Sequence, residues 1–419
     1  MKAIPLQTSV IIIGAGPAGA GTSIYLTQAG IPHIILEKEV FPRDKICGDA
    51  CSGKTAFVLR KANASWVREI FQDDTGFMPS HGIIFNAPNG KQLHVPFGAS
   101  NQPGEAAPGF TTPRLVFDDF LFRKLGGPHA TIYQQASVDT IERQEDKSIK
   151  VRFTQDGTAY EAVAPLIVGA DGDKSVVRKT FLTANAAPKA YAVGLRAYYS
   201  GVTGMNPENY VELHFLRESL PGYIWIFPLP NGMANVGIGI LSSVVRTRKI
   251  NLREHMLHAI NHHPAISGRF KQATLSGKIQ GWGLPMCTSR MPVSGDHFLL
   301  TGDAASLIDP FTGEGIGNAL YSGMVAAFAI RECVASGNYD AAFIKKNYDD
   351  VLYRRIGDEL KISATLQRLC NYPWLFNFVV NKAHKSPSLS KTISCMFTDL
   401  DLRAQFRKPS FYLKMLFNR

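Results

Sequence analysis

The run Gly14-Ala-Gly16-Pro17-Ala18-Gly19 follows an apolar stretch, Val10–Ile13, and opens a segment of helical pattern; Glu37 stands 23 residues beyond Gly14 at the end of a second apolar stretch. That spacing belongs to a nucleotide-binding turn. The first glycine permits the sharp turn, the second lets the backbone approach a pyrophosphate, and the third lets helix and strand pack closely while the helix N-terminus holds the phosphates. Glu37 is placed to accept from the ribose hydroxyls of an adenosine. Two more glycine-bearing turns follow short apolar runs. One is Gly169-Ala-Asp171-Gly172, ahead of Ser175 and Arg178. The other is Gly302-Asp303-Ala-Ala, continuing as Asp309-Pro310-Phe-Thr-Gly313-Glu-Gly315-Ile316-Gly-Asn318. An aspartate at a strand end can take a ribityl hydroxyl, and a glycine-rich turn into a helix offers backbone N–H groups to an electron-rich ring carbonyl. The first motif alone fits NAD as well as FAD. Three motifs spread from Gly14 to Asn318 imply one extended cofactor, and FAD is long enough to use them all.

A second constellation is aromatic. Tyr223, Trp225 and Phe227 alternate and so face one side of a strand. They make either an apolar wall beside a substrate or an ordinary face of a sheet core, and the Trp225 N–H needs a partner if buried. His255, His258, His262 and His263 crowd one segment with only Glu254 for company. That is no metal-ligand pattern, and no metal is expected.

These residues require elements to hold them. Strands are predicted at Ser9–Ile13, Ile34–Glu37, Thr131–Ile141, Ile149–Thr154, Leu166–Gly169 and Phe298–Thr301, with helices at Ala20–Ala29, 55–71, Val116–Leu125, Leu252–Ile260 and Gly315–Ser336. His81–Phe85 and Gln92–Val95 are short strand-like runs; Tyr191–Tyr199, Val211–Phe215, Tyr223–Phe227 and Ala234–Ile240 alternate, as in an antiparallel sheet, and Asn231-Gly232 is a hairpin turn. The chain beyond Ala341 reads as helical. The expected fold class is α/β: a Rossmann-type FAD-binding domain interleaved with an antiparallel-sheet substrate domain, plus a helical C-terminal region. The expected boundaries are 1–75, 105–185 and 280–345 for the first, 76–104 and 186–279 for the second, and 346–419 for the third.

Composition narrows the class. Hydrophobic residues make up 45% and charged residues 19% of 419, so a substantial core is expected. Six cysteines in that length form no disulfide framework, as in a reducing compartment. No run of 18 apolar residues occurs, so no transmembrane helix is expected; the sparse cysteines make a cytoplasmic protein the expectation. The net charge is +11, and nine Lys/Arg against Asp399 and Asp401 after Leu366 place much of it at the C-terminus. Phe406–Arg419 mixes aromatic, aliphatic and basic residues and suits either a peripheral contact with the inner membrane face or a helix docked on its own domain. Nucleic acid is not an expected partner.

In this order the motifs resemble the flavoprotein superfamily of para-hydroxybenzoate hydroxylase over about residues 8–340, and within it the geranylgeranyl reductase family. The resemblance rests on Glu37-Lys38-Glu-Val-Phe-Pro42-Arg43-Asp-Lys45-Ile-Cys47-Gly48, Thr112-Pro113-Arg114, Gly169-Ala-Asp171-Gly172, Tyr223-Ile-Trp225-Ile-Phe227-Pro228 with Asn235-Val-Gly237, and the run from Gly302 to Gly315. It implies reduction of isolated double bonds in isoprenoid chains by FAD, itself reduced by NAD(P)H or a protein electron donor. It implies too that Tyr223, Trp225 and Phe227 line a lipid tunnel, with Tyr223 and Trp225 beside the chemistry. Cys47 and Gly48 would lie at the flavin ring, and Lys38, Arg43, Arg114 and Val138 would contact the cofactor. An alkene accepting hydride also needs a proton, and Cys47 is the candidate donor; the alternative is a small residue packed on the ring. Where the family commonly carries a glycine run, this chain has Asp49-Ala-Cys51-Ser-Gly53. Halogenases carry Trp-x-Trp-x-Ile-Pro, which the Tyr223–Pro228 segment matches in part. An oxygen-using monooxygenase or halogenase is therefore the rival reading, in which Lys45 or Lys54 would have to capture the halogen species.

Overall fold

The computed structural model describes residues 5–72, 76–96, 109–182 and 190–386. The chain divides into two compact units. The first is 1–45, 114–190 and 284–361; the second is 46–113, 191–283 and 362–419.

In the first unit, the apolar runs become a six-stranded sheet in the order Ser294–Gly295, Phe298–Leu300, Leu166–Gly169, Val10–Ile13, His33–Leu36 and Ala130–Tyr133. Its five longer strands are parallel; the residues of four are buried on both faces, as continuous apolar runs in a parallel sheet should be, while the edge strand Ala130–Tyr133 is only partly covered. The helix Pro17–Gln28 crosses between the first two strands in chain order. Against it packs Ile316–Ser336, so closely that a Cβ on Gly323 would collide with the Ala18 carbonyl, and one on Gly21 would lie 2.9 Å from the Leu320 carbonyl oxygen. At 21 residues and mean hydropathy 1.2, this second helix is long and apolar enough to cross a membrane, against the expectation of none. It is instead mostly buried, and its Gly323 is fitted to the first helix. A second sheet, Leu6–Gln7, Thr158–Ala164, Ile149–Gln155 and Ala136–Arg143, completes the unit.

The second unit is built on a seven-stranded sheet, ordered Thr274–Met286, Ala190–Ser200, Met233–Leu241, Tyr223–Leu229, Val211–His214, Gly82–Asn86 and Gln92–Pro96. From Ala190–Ser200 to Gln92–Pro96 the pairings are antiparallel except Val211–His214 with Gly82–Asn86. One face carries Ala197, Ile224, Ile226, Val236 and Ile238 into a core with Met256, Ala259 and Ile260 of the helix Leu252–His262. On that side, Glu212 takes a two-pronged bond from Arg269 at 2.6 and 2.9 Å, and His214 lies 3.0 Å away. A three-stranded sheet of Ala50–Cys51, Gly109–Thr111 and Met78–Ser80 also belongs to this unit.

Several sequence expectations need correction. Thr131–Ile141 is two strands in two sheets, divided where Gln135 turns to φ +56°. The 55–71 helix is Gly53–Ala62 and Ala64–Ile70, because Asn63 is extended and its side chain caps the second through the Ser65 N–H at 2.9 Å. Thr158–Ala164, Thr274–Met286 and the helix Ser242–Arg248 carry no clear period and were not expected. Residues 46–75 and 105–113, expected in the FAD-binding domain, fall in the second unit, and 346–361 fall in the first rather than in a separate C-terminal region. The short strands at 50–51 and 109–111 pair with each other, which carries both segments out of the first unit. The segment Phe406–Arg419 lies outside the described residues.

Candidate active site

The three nucleotide motifs follow three neighbouring strands of one parallel sheet, Phe298–Leu300, Leu166–Gly169 and Val10–Ile13. All three turns therefore leave the same edge, the carboxyl end where open α/β sheets bind ligands. Gly14 has φ +98°, and a Cβ there would lie 2.5 Å from the Ala170 carbonyl oxygen. Only glycine lets these two turns approach. A Cβ on Gly19 would meet the Gly14 carbonyl, so the helix can start this tightly only with glycine there. Gly16 is the N-cap of the Pro17–Gln28 helix and supplies no side-chain cap, which suits a bound phosphate. Pro17 and Ala18 are buried in its first turn. Glu37 is buried, and its carboxylate is fixed by the N–H groups of Ala15 at 2.7 Å and Glu39 at 3.0 Å.

Two arginines meet at this helix end. Arg114 forks onto Asp118 at 2.6 and 2.7 Å, and Arg43 Nη1 reaches the same carboxylate at 2.7 Å. A Cβ on Gly16 would lie 3.6 Å from Arg43 Nη2. Two guanidinium groups on one buried carboxylate leave a net positive charge beside an uncapped helix N-terminus, the electrostatics of an anion site. Asp118 was not singled out in the sequence; its i,i+4 spacing from Arg114 on one helix was the available signal. Lys38, by contrast, is exposed and pairs with Glu39 at 3.7 Å.

The second and third turns are tied together by Arg178. It donates to the carbonyls of Asp303 and Ala304 at 3.3 and 3.0 Å, to Ser306 Oγ at 3.3 Å, and to the Asp173 carbonyl. Asp171 caps the following helix through the Val176 N–H at 2.6 Å, while its Oδ1 is buried with no hydrogen-bond partner among the described residues. Burial pushes its carboxyl up despite the capping bonds. Burial also pushes the Asp303 carboxyl up, against the pull of Lys45, Arg114 and Arg178. Gly172 and Gly302 take φ +75° and +57°. Downstream, Asp309 Oδ1 accepts from Phe311 and Thr312 at 2.9 and 2.8 Å, Gly313 turns at φ +74°, and Glu314 accepts from the Gly317 N–H at 2.6 Å. Pro310 and Ile316 are buried in this turn, and Gly315 is the N-cap of the long helix. Val138 is half-buried on an edge strand of the four-stranded sheet, next to a bulge. A buried carboxylate oxygen awaiting a hydroxyl, a phosphate-ready helix end and glycines at the close approaches fit FAD, held by Gly14–Gly19, Glu37, Arg43, Arg114, Asp171 and Asp303.

The aromatic residues lie in the second unit. Tyr223, Trp225 and Phe227 share the sheet face opposite the Ile224–Ile226 core, with ring centroids 6.4 and 6.3 Å apart along the strand. Register places two rows across three strands on this face: Tyr198–Asn235–Phe227 and Arg196–Gly237–Trp225. The Trp225 N–H donates to Asn235 Oδ1 at 2.8 Å, and Asn235 Nδ2 donates to the Cys47 carbonyl at 2.8 Å. A Cβ on Gly237 would strike the Trp225 ring, so glycine there lets the indole lie across the strand. A Cβ on Gly48 would lie 3.1 Å from the Phe227 ring. Asp49, at φ +65°, accepts from Tyr198 Oη at 2.7 Å and, through its carbonyl, from the Thr112 N–H at 3.0 Å. The Cys47–Asp49 segment is thus tied to the aromatic face by two hydrogen bonds, at Asn235 and Tyr198. The Cys47 side chain is half-buried and that of Cys51 is buried. Among the described residues no group of His, Cys, Asp or Glu is arranged to hold a metal.

A parallel sheet that gathers three nucleotide motifs on one edge is that of a dinucleotide-binding flavoprotein. The chain belongs to the FAD binding domain family, which matches residues 7–66 and 106–334. It is an FAD-dependent oxidoreductase, and the resemblance to geranylgeranyl reductases holds in its relatives. It is 29% identical to a menaquinone reductase of Mycolicibacterium smegmatis over 77% of this chain and 76% of that protein. It is 28% identical to digeranylgeranylglycerophospholipid reductase 2 of Methanopyrus kandleri over 87% of each. A solved geranylgeranyl bacteriochlorophyll reductase-like protein from Thermoplasma acidophilum shares the fold at TM-score 0.78 and 22% identity, over 96% of this chain and 99% of that one.

Proposed function

We propose that the protein reduces carbon–carbon double bonds in the prenyl chain of a lipid. The observation that carries this reading is the face of Tyr223, Trp225 and Phe227, turned away from the core of its own sheet and bound through Asn235 to the Cys47 carbonyl. It is supported by relatives named for reducing a digeranylgeranylglycerophospholipid and a menaquinone. Bound FAD, once reduced by NAD(P)H or a protein donor, supplies the hydride. The remaining work falls to the chain. The three aromatic rings hold an apolar chain extended and keep water from the double bond. Cys47 delivers the proton to the second carbon, so that one double bond becomes two C–H bonds, and solvent returns a proton to the thiolate. A thiol stays largely protonated near neutral pH, as this role requires. Lipid substrate and basic charge together support a cytoplasmic enzyme, peripheral at the inner membrane face.

The test is turnover without dioxygen. A prenyl-lipid reductase converts substrate anaerobically when supplied with reductant, giving a product heavier by two hydrogens per double bond. A monooxygenase or halogenase stays idle until dioxygen is admitted, and that result would replace the reading. Cys47→Ala should keep FAD bound and lower turnover by about 10²-fold or more, and Trp225→Ala should keep FAD and raise KM. Wild-type turnover in both variants would remove these residues from the chemistry.

A further inference from the structure

The described chain ends in a helix, Pro373–Lys385, with two distinct faces. Phe376, Val380 and Ala383 turn inward, and Phe376 packs on Phe215 with ring centroids 4.7 Å apart. The outward stripe begins with Trp374 and Phe378 and continues one turn on with Lys382, whose Nζ lies 5.9 Å over the Phe378 ring. Tyr372 stands at the N-cap and Lys385 in the last turn. Trp374 is 69% exposed and Tyr372 55%, the two most exposed large apolar side chains among the described residues, and Phe378 is 39% exposed. Large aromatics left in water next to one another, rimmed by lysines, mark a contact surface.

We propose that this stripe docks on the surface of an anionic lipid bilayer. Tyrosine and tryptophan favour the membrane–water boundary, where an apolar ring can be buried and its polar atom stay wet. Lysines along the same face are drawn to acidic headgroups. Charge argues against the two other coverings. Residues 387–419 carry six Lys/Arg against two Asp, and so repel Lys382 and Lys385. A second copy crossing at Lys382 would likewise set lysine against lysine. The contact stands on the surface itself and not on the proposed reaction, since vesicle binding is read with no substrate present.

The experiment is flotation of the full FAD-loaded protein with vesicles of phosphatidylglycerol and phosphatidylcholine, and with phosphatidylcholine alone. Binding should favour the anionic vesicles, weaken with salt, and blue-shift tryptophan emission. Trp374→Ser with Phe378→Ser should lower the apparent affinity by about tenfold or more. Lys382→Glu with Lys385→Glu should lower it by about tenfold on anionic vesicles and little on neutral ones. All these variants should keep bound flavin and turnover on detergent-dispersed substrate. Undiminished affinity in the Trp374→Ser/Phe378→Ser protein overturns the proposal. So does binding lost only through Arg407→Gln with Lys408→Gln and Lys414→Gln, which would assign the contact to the tail. A vesicle-free dimer that Trp374→Ser splits overturns it in favour of a second copy.

Discussion

At the scale of single residues, Gly237 shows how a missing side chain shapes a site. Its place beneath the Trp225 ring, with the Leu195 carbonyl on the other side, leaves no room for a methyl group. Gly237→Ala should therefore tilt the indole, break its bond to Asn235 and loosen the hold on the Cys47 carbonyl. We expect FAD content to stay at wild type while turnover falls about tenfold or more; near-UV circular dichroism reports the indole directly, and an unchanged spectrum with full turnover would refute the account. Asp303 carries a different message. Its carboxyl is raised by burial from an ordinary value of 3.8. A raised acid favours the folded state only while protonated, so stability of the FAD-free protein should decline as pH climbs from that ordinary value through the raised one. Asp303→Asn should remove that part of the decline, as the difference between the two melting-temperature profiles against pH. A constant difference across acid pH would mean that the carboxyl is not buried without its ligand.

At the scale of elements, the sheet of the second unit keeps its layer of helix in place partly through Glu212, Arg269 and His214. Burial pushes the Glu212 carboxyl up, but the bonds from His214 and Arg269 overcome it, and the group ends below its ordinary 4.5. The pairing therefore stabilises the fold above that value, and the contribution is lost as pH falls through the lowered one. Arg269→Ala leaves a buried carboxylate without its main partner and should cost about 3–5 kcal/mol at neutral pH, with a smaller loss in acid; urea unfolding at the two pH values measures both. The elements were legible where the chemistry of a turn is local. Gly14, Asp171 and Asp303 announce themselves beside the strands they follow, and the strand carrying Tyr223 and Trp225 shows its alternation directly. Partners distant in sequence left no such trace. Nothing near Asp49 points to Tyr198, 149 positions away, and nothing near Cys47 points to Asn235, 188 away. The two-residue strand at Ala50–Cys51 is too short to show any period, so the boundary of the first unit was misplaced there.

At the scale of the whole molecule, the first unit is assembled from three stretches of chain and the second from the stretches between and after them. The fold class was legible because parallel and antiparallel sheets leave different hydrophobic patterns; the allotment of segments was not, because it depends on pairings between segments far apart in sequence, such as 50–51 with 109–111. A fragment ending at Gly283 lacks the Phe298–Leu300 strand, the Asp303 turn and the Ile316–Ser336 helix. It should bind no FAD, by flavin absorbance after gel filtration, and a fragment that retained stoichiometric flavin would contradict the assignment of Asp303 to the cofactor.

The fit of Gly323 against Ala18 also has a consequence for how the protein is made. The Pro17–Gln28 helix buries ten of its 12 residues, and one of the surfaces that covers it is encoded some three hundred residues later. During synthesis the ribosome delivers that helix early and its cover late, so at about 5–20 residues per second an apolar flank stands open for about 15–60 s. Any cell that makes this enzyme must shield a nascent chain through that interval, and flavin can be taken up only near the end of translation.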